Sequence, residues 1–291
     1  MLWEQLINGI TTGSIYAIVA LGYTLVFGVL GIINMAHGEI FMFGAFMGVV
    51  TTSTLGLPIW LAFVIATVVT AIMGYLLERL ALRPLRGKPE SSHLAPLIAT
   101  IGVSTFLENL ADKLFGSGNH PVQNSLSEIR FSVGTVNIYL VQIVIFCISV
   151  AMMIALSYWL LKTKGGKALR ATAENLETAS LLGVNTKRII MITVVLASAI
   201  GGIAGILVGM AFSSVNPQMG LSIGLKGLAI IILGGMGNVK GAMAGGMILG
   251  LSETLIVALG LSGYRDAIAF IIIIVILLVR PQGIFGRKEA A

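Results

Sequence analysis

Long apolar runs separated by short polar segments fill most of the chain. A helix needs about 20 mostly apolar residues to cross the hydrocarbon core of a bilayer. The pattern predicts nine helices, over residues 6–29, 40–56, 58–78, 94–114, 137–161, 189–211, 223–236, 241–260 and 265–280. The ranges 40–56, 223–236 and 265–280 are the weakest, and each is either a span with little tilt or a half-helix buried inside the bundle. The fold class is therefore all-α, a polytopic transmembrane helix bundle of about eight or nine spans in a single domain over residues 1–291.

The composition supports a lipid environment for these helices. Hydrophobic residues make up 57% of the 291 residues and charged residues only 10%, whereas a soluble globular domain has about 25% charged residues. So few charges cannot cover a surface that faces water, and lipid suits the runs between them. The 36 glycines favour a tightly packed bundle, because small residues let membrane helices approach closely.

The basic residues predict the orientation of the bundle. Most of the 18 basic residues share one side if the helices alternate in direction. These are Arg79, Arg83, Arg86, Lys88, Lys162, Lys164, Lys167, Arg170, Lys187, Arg188, Lys240, Arg280, Arg287 and Lys288. The opposite ends hold the remaining four, Lys113, Arg130, Lys226 and Arg265. Because cytoplasmic loops are enriched in Lys and Arg, we expect the N-terminus outside, the C-terminus in the cytoplasm, and nine spans, or eight if one short piece is re-entrant.

Several function classes are excluded by what the sequence lacks. Topology explains the net charge of +6, so no nucleic-acid binding is expected. The one cysteine, Cys147, can form neither an internal disulfide nor a cysteine-based metal site. No span carries a catalytic motif such as Gly-x-Ser-x-Gly, and the three histidines are far apart, at His37, His93 and His120. We therefore expect neither an enzyme nor a metal site nor a cofactor.

The loop over residues 115–136 is the longest predicted outer segment. Alternating apolar residues near its end, at Ile129, Phe131, Val133 and Val136, allow a short strand or an ordered flap. The loop is either a docking surface for an external partner or a passive connector.

The inner segment over residues 162–188 has helical spacing of its small and apolar residues. Thr172 or Asn175 is suited to cap a short helix there, and Gly183 to end one. An amphipathic helix in this place is either a lever that a partner moves or a surface helix that lies at the headgroups.

Ionisable groups at membrane depth are costly and usually functional. Asn34, His37 and Glu39 lie at a break between two apolar runs. They either line or brace a transport pathway, or they cap free backbone groups at helix ends. Lys226 and Glu253 are suited to pair, although nothing in the sequence shows that they meet. The glycines of residues 36–45 also echo those of 239–246, which suggests two related halves.

Four motifs in order along the chain resemble branched-chain amino-acid permeases of the LivH type. They occupy residues 31–39, residues 170–175 with 179–185, residues 233–238 with 241–246, and residues 280–286. In addition, Glu177-Thr178-Ala179-x-x-x-Gly183 resembles the Glu-Ala-Ala-x-x-x-Gly coupling motif of ABC importer permeases. The Ile and Leu-Pro that follow in that motif are missing at the expected offset.

The resemblance implies a multi-pass permease of the bacterial plasma (inner) membrane. Its partners would be a second homologous permease subunit, two cytoplasmic ATP-binding subunits, a periplasmic substrate-binding protein and membrane lipid. Five residues are then assigned to coupling with the ATPase, Ala173, Glu174, Glu177, Ala179 and Gly183. Six are assigned to the pathway or its gate, Asn34, His37, Glu39, Gly234, Gly235 and Asn238.

ATP hydrolysis would belong to the partners. The chain has no Gly-x-x-x-x-Gly-Lys-Ser/Thr loop, because Gly166-Lys167 is followed by Ala168. By resemblance the substrate is leucine, isoleucine or valine, and urea or short amides are the alternative. An ion-coupled secondary transporter is a further alternative, but it would need an intramembrane acid–base relay, for which the chain has few candidates.

Overall fold

The structure is a computed structural model that describes residues 2–86, 94–122, 125–133, 136–280 and 282–286. Its α-helices are α1 (Leu2–Leu30), α2 (His37–Val49), α3 (Ile59–Leu77), α4 (Leu94–Phe115), α5 (Leu140–Lys162), α6 (Lys164–Glu174), α7 (Leu176–Leu181), α8 (Thr186–Phe212), α9 (Met219–Gly234), α10 (Val239–Ala258) and α11 (Arg265–Val279). Its strands are β1 (His120–Pro121), β2 (Arg130–Val133), β3 (Val136–Tyr139) and β4 (Ser214–Val215). Lys88, His93, Pro281, Arg287 and Lys288 lie outside the described residues.

All nine predicted ranges correspond to helices. π-helical turns extend α2 over Val50–Thr54 and α3 over Glu78–Leu82. Seven helical segments of the described chain are long and apolar enough to cross a membrane, while α9 is a shorter apolar helix. The range predicted from residue 137 begins as β3 instead, because β2 and β3 pair as an antiparallel hairpin and α5 starts only after Tyr139. The predicted strand in the outer loop is thereby confirmed.

The ends of the helices gather on two opposite faces of the bundle. We call one the hairpin face, because it holds the β2–β3 hairpin and the β1–β4 pair that joins the α4–α5 loop to the α8–α9 loop. The start of α1 lies there too, since the backbone N–H of Asn137 donates to Glu4. We call the other the α6–α7 face. It holds α6, α7, the end of α1 and the α9–α10 turn, to which the chain's last described residues bond.

The two halves of the bundle repeat each other in opposite directions. Helix α1 runs from the hairpin face to the α6–α7 face, and α8 runs the other way. Helix α1 packs on α10 as α8 packs on α3, and α9 contacts α1 and α10 as α2 contacts α8 and α3. Helices α1–α4 and α8–α11 therefore form an inverted repeat, an arrangement found in many transporters.

The predicted echo between residues 36–45 and 239–246 does not follow this repeat. These segments open α2 and α10, and α2 contacts α8, α3 and α9 whereas α10 contacts chiefly α1 and α9. The counterpart of α2 is α9. A fainter sequence echo marks it, an asparagine four residues before a glycine, at Asn34 and Gly38 and again at Asn216 and Gly220.

Helices α2 and α9 begin inside the bundle and not at a face. His37, the first residue of α2, lies against Gly22 of α1. Gly22 is eight residues before the end of α1, which is about 12 Å at 1.5 Å per residue. Gly38 in turn lies against Gly220, in the first turn of α9. Two of the three weak ranges are therefore short helices whose first turns meet in the interior, as the half-helix alternative predicts.

Glycines let the central helices approach each other closely. Gly250 of α10 lies against the backbone of Gly13 in α1, and Gly44 of α2 lies against the backbone of Gly202 in α8. A Cβ atom at any of these positions would overlap the backbone of the facing helix. The high glycine content is thus used at the crossings that hold the two halves together.

Replacing Gly250 by alanine is expected to lower the free energy of unfolding by about 1–3 kcal/mol, because overpacking forces the backbones of α1 and α10 apart. The matched variant Gly102→Ala in α4 should be neutral or stabilising by up to about 1 kcal/mol, because alanine favours the helix and an added Cβ there meets nothing within 4 Å. Unfolding of the purified chain in detergent measures both. Equal stability of Gly250→Ala and the wild type would contradict the close α1–α10 contact.

Candidate functional site

The predicted coupling segment, residues 162–188, folds as two short helices that meet at Asn175. The Thr163 hydroxyl accepts the Gly166 backbone N–H at 3.1 Å and starts α6. The Asn175 side chain accepts the Thr178 backbone N–H at 2.8 Å and starts α7. The cap predicted at Asn175 is therefore confirmed, and the two caps satisfy backbone donors that each helix start would leave free.

Gly183 ends α7, as predicted. Its φ of +84° lies in the left-handed region, which glycine adopts without the steric cost of a side chain. Its N–H donates to the Ser180 carbonyl, and the Val184 N–H donates to the Ala179 carbonyl, both at 3.0 Å. This pair of bonds is the Schellman motif. Thr172 is not a cap, since its hydroxyl donates to the Ala168 carbonyl within α6.

The tip of α7 projects from the α6–α7 face. Four of the five predicted coupling residues are exposed, namely Ala173, Glu174, Glu177 and Gly183. Ala179 is buried, where α7 contacts α8. Sequence reasoning missed the two most exposed apolar residues here, Leu181 and Leu182, whose exposed fractions are 83% and 78%. The sequence signal that could have found them is a pair of adjacent leucines directly before Gly183, the predicted helix end.

A groove of about 390 Å³ opens on the α6–α7 face beside α7. Its walls are the last turn of α1 (residues 27–31), the α6–α7 junction (residues 172–176), and Met236 and Gly237 of the α9–α10 turn. The groove therefore lies where the two-helix segment meets both halves of the bundle.

The predicted pathway residues Gly234, Gly235 and Asn238 form the α9–α10 turn. Gly235 has a φ of +101°, and Asn238 caps α10 by accepting two backbone N–H groups. The Asn238 side-chain amide also donates to the Phe285 carbonyl at 2.9 Å, and the Phe285 N–H donates to the Gly234 carbonyl at 3.0 Å. In this structure the turn therefore binds the C-terminal segment by hydrogen bonds.

Asn34, His37 and Glu39 lie together at the buried start of α2. The Asn34 side chain accepts the Ala36 backbone N–H at 3.2 Å just before α2, although the start of α2 has no side-chain cap bond. His37 is 1% exposed and packs edge-on against the Tyr23 ring at a centroid distance of 4.6 Å. Neither ring nitrogen of His37 finds a hydrogen-bond partner among the described residues.

Glu39 is a carboxylate buried between α2, α4 and α9. The Ser104 hydroxyl donates to its Oε1 at 3.2 Å, and its Oε2 lies against Gly220 without a partner among the described residues. Glu39 lies in the first turn of α2 and beside the first turn of α9. Both helix N-termini favour a negative charge there. The structure thus brings three predicted pathway residues to the point where the two halves meet.

A second buried cluster joins α1, α9, α10 and α11, and it answers the open question about Lys226 and Glu253. The Lys226 Nζ atom lies 2.9 Å from Glu253 Oε1 and 2.7 Å from Asp266 Oδ1. The Arg265 Nε atom lies 2.5 Å from Glu253 Oε2, and the Tyr16 hydroxyl donates to the same oxygen at 2.9 Å. The cluster holds two cations and two anions, so the buried Lys226 and Glu253 are both paired, as buried charges require.

The described residues contain no group of three or more His, Cys, Asp or Glu side chains placed to hold a metal ion. The polar groups of the two clusters instead contact one another by the hydrogen bonds and ion pairs described above.

Comparison with known proteins agrees with this architecture. Residues 5–277 match the family model described as branched-chain amino acid transport system / permease component. The permease protein BraD of Pseudomonas aeruginosa is 39% identical over 98% of this chain and 96% of its own length. LivH of Escherichia coli K12 is 40% identical over the same shares. Both are named as permease proteins of high-affinity branched-chain amino acid transport systems.

A solved structure shows a similar fold. PsaBC from Streptococcus pneumoniae in complex with Fab matches with a TM-score of 0.50 and 13% identity, over 96% of this chain and 92% of that chain. The family match and the two relatives extend over nearly the whole chain, and the matched proteins are permeases and not ATPases. The chain belongs to the family of permease components of branched-chain amino-acid transport systems.

Proposed function

We propose that the chain moves branched-chain or related amino acids into the cytoplasm as one permease subunit of an ATP-driven importer. The full-length likeness to BraD and LivH carries the proposal. Apolar substrates of this class would suit a pathway with few charged groups. The two buried clusters fit this expectation, because neither resembles a continuous relay of acids and bases, which an ion-coupled transporter would need.

The α6–α7 face would lie in the cytoplasm and the hairpin face outside. The basic segments support this orientation, because Lys162, Lys164 and Lys167 flank or belong to α6, and cytoplasmic loops are enriched in such residues. Two ATP-binding subunits would dock below this face. A second homologous permease would complete the pathway, lipid would surround the pair, and a periplasmic binding protein would dock on the hairpin face.

The α6–α7 segment would transmit motion between the ATPase subunit and the bundle. It connects α5 directly to α8, and α8 packs on α1, α2 and α3. Glu177, Gly183 and the leucine tip (Leu181 and Leu182) would lie against an ATPase subunit, and the ATP cycle of that subunit would displace α7. That displacement would reach the α2–α9 contact at Gly38 and Gly220 through α8. Helix α8 belongs to the second half of the repeat and packs on α2 of the first half.

The gate would lie at this contact. Asn34, His37 and Glu39 are buried at the start of α2, where the first turns of α2 and α9 meet. Separation of the halves would expose these polar groups to a passing zwitterion. Gly234, Gly235 and Asn238 would brace the gate from below, because they hold the end of α9 and the start of α10.

Reconstitution tests the proposal. The chain, a second permease and a candidate ATPase subunit are placed in liposomes with a candidate binding protein. ATP-dependent uptake of labelled leucine is expected, with competition by excess isoleucine or valine and none by urea. Competition by urea instead would favour the short-amide alternative. Uptake that persists without any ATPase subunit would overturn the ABC importer and favour a secondary transporter.

A further inference from the structure

The groove on the α6–α7 face is built from the carbonyl ends of helices. Helix α1 ends at Leu30, α6 ends at Glu174, and α9 ends at Gly234, two residues before the groove wall at Met236. The C-terminus of a helix carries a partial negative charge of about half an elementary charge. The ends of α1 and α6 line this concave surface, whereas the last carbonyls of α9 accept the N–H groups of Gly235, Ile284 and Phe285.

Glu174 adds a full negative charge to this groove. It is exposed, lines the groove, and is the last residue of α6. A carboxylate at the C-terminal end of a helix is disfavoured by the helix dipole. Among the described residues Glu174 forms no ion pair that would compensate it. The side chain is therefore in an unfavourable place unless a cation is brought to it.

No cation is supplied by the groove itself. Its twelve lining residues include no Lys, Arg or His, and the last turns of α1, α6 and α9 contain no basic residue. This is unusual for its surroundings, because the same segment carries Lys164, Lys167, Arg170, Lys187 and Arg188. None of these basic side chains lines the groove, whereas Glu174 does.

Side chains cap the helix N-termini next to the groove. The Asn175 side chain accepts the Thr178 N–H at the start of α7, and α7 carries Glu177 in its first turn. The Asn238 side chain accepts the N–H groups of Lys240 and Gly241 at the start of α10. These three donors are therefore already bonded within the chain.

We infer that the groove receives a basic side chain, arginine or lysine, from the docked ATP-binding subunit, with Glu174 as its counter-ion. The inference rests on the proposed function and adds the chemistry of the partner. A guanidinium or ammonium group complements both the carboxylate and the helix ends. The exposed side chains of Met236 and Leu176 at the rim would pack on the methylene groups of this arginine or lysine, because long basic side chains bury their apolar stems.

This arrangement makes the groove a second contact beside the leucine tip of α7. A basic side chain seated there would touch α1, α6 and the α9–α10 turn at once. The ATPase subunit would thereby hold elements of both halves of the inverted repeat, and not only α7.

The experiment measures the affinity of the ATPase subunit for the detergent-purified permease pair at two salt concentrations. Glu174→Gln should weaken binding about tenfold at low salt, as loss of a charge-assisted hydrogen bond would. The difference from wild type should shrink at high salt, because salt screens exposed charges. Glu174→Lys should weaken binding further. The double variant Glu174→Lys with Lys187→Glu keeps the net charge of the wild type and should remain as weak as Glu174→Lys.

Three results would overturn the inference. The first is unchanged affinity for both Glu174 variants when the wild type binds, which would leave the proposed function standing. The second is full recovery in the double variant, which would indicate only a general charge effect of the face. The third is loss of the Glu174→Gln effect when Arg287 and Lys288 are both replaced by glutamine, because the chain's own tail would then be the occupant. Failure of the wild type to bind any ATPase subunit would instead contradict the proposed function.

Discussion

Replacing Glu253 by glutamine is expected to lower the free energy of unfolding by about 3–5 kcal/mol, the usual cost of removing one partner from a buried ion pair. Glu253 is 1% exposed and receives Lys226, Arg265 and the Tyr16 hydroxyl. Glutamine keeps the shape and can still accept from Tyr16. The variant leaves Lys226 and Arg265 with Asp266 as the remaining counter-ion in the cluster. The lost free energy of unfolding therefore reports the missing charge and not a change in packing.

The exposed fraction of each charged side chain determines how strongly its replacement should lower the free energy of unfolding. Lys226→Met should cost nearly as much as Glu253→Gln, because the Lys226 side chain is only 11% exposed and Glu253 would lose one of its two cations. Asp266→Asn should cost less than about 1 kcal/mol, because the Asp266 side chain is 71% exposed and exposed pairs contribute little.

The double variant Lys226→Met with Glu253→Gln tests whether the two side chains act as a charge pair. It removes one cation and one anion, leaving Arg265 with Asp266, and should recover much of the stability that either single variant loses. Unfolding in mixed detergent gives the four free energies of this cycle. Additive losses would show that Lys226 and Glu253 do not act as a pair.

The cluster also explains how α11 is held. Most of α11 is exposed, including Ile271, Ile274 and Leu278, and a small apolar core joins Ile273 to Ala229 and Leu233 of α9. The other firm attachments lie at its two ends, the ion pairs of Arg265 and Asp266 and the backbone bonds of the C-terminal segment. Loss of the cluster should therefore release the start of α11 first.

The helices could be predicted from the sequence because one physical condition governs them all. In lipid, every backbone group needs a partner within the segment, so each long apolar run must be a helix. Local chemistry also located Asn175 and Gly183, because a side-chain cap and a left-handed turn depend on neighbouring residues alone. These features need no knowledge of the tertiary fold.

Contacts between distant residues could not be predicted in this way. Tyr16 and Glu253 are 237 positions apart, and their contact depends on α1 packing on α10 through glycines. Hydropathy likewise cannot distinguish a short span from a helix that starts inside the bundle, because both are apolar. The start of α2 beside Gly22 and Gly220 is set by the facing helices.

The periodicity of the coupling segment does not locate the break within it. The helical spacing of Leu169, Ala173 and Leu176 continues across Asn175. The chain instead breaks at Asn175, whose extended backbone ends α6 and whose side chain starts α7. Leu169 stays buried, while Ala173 and Leu176 are exposed. The cap competes with helix continuation, and periodicity alone takes no account of that competition.

The leucine tip of α7 should contribute most of the affinity for the ATPase subunit. Burial of a leucine side chain on docking is worth about 1.5–3 kcal/mol, so Leu181→Asp and Leu182→Asp together should weaken association by 100-fold or more. Glu177→Lys, one turn from Leu181 on the same helix, should weaken it as well by reversing a charge at the proposed contact.

The chain itself should tolerate these changes. Leu181 and Leu182 bury little of their surface in this subunit, so the variants should unfold like the wild type while ATP-dependent uptake is lost. Leu259→Asp is the matched control, because Leu259 is 76% exposed but follows α10 at the hairpin face. Its affinity for the ATPase subunit should equal that of the wild type.

The same pair of variants decides between the two roles that the sequence left open for this segment. A helix that merely lies at the headgroups would lose membrane contact on Leu181→Asp, yet ATPase binding in detergent would be unchanged. If α7 is a lever that the ATPase moves, the aspartate variants would lose ATPase binding even in detergent, where membrane contact plays no part. Unchanged affinity with both aspartates in place would therefore remove α7 from the interface and require the coupling contact to lie elsewhere on the α6–α7 face.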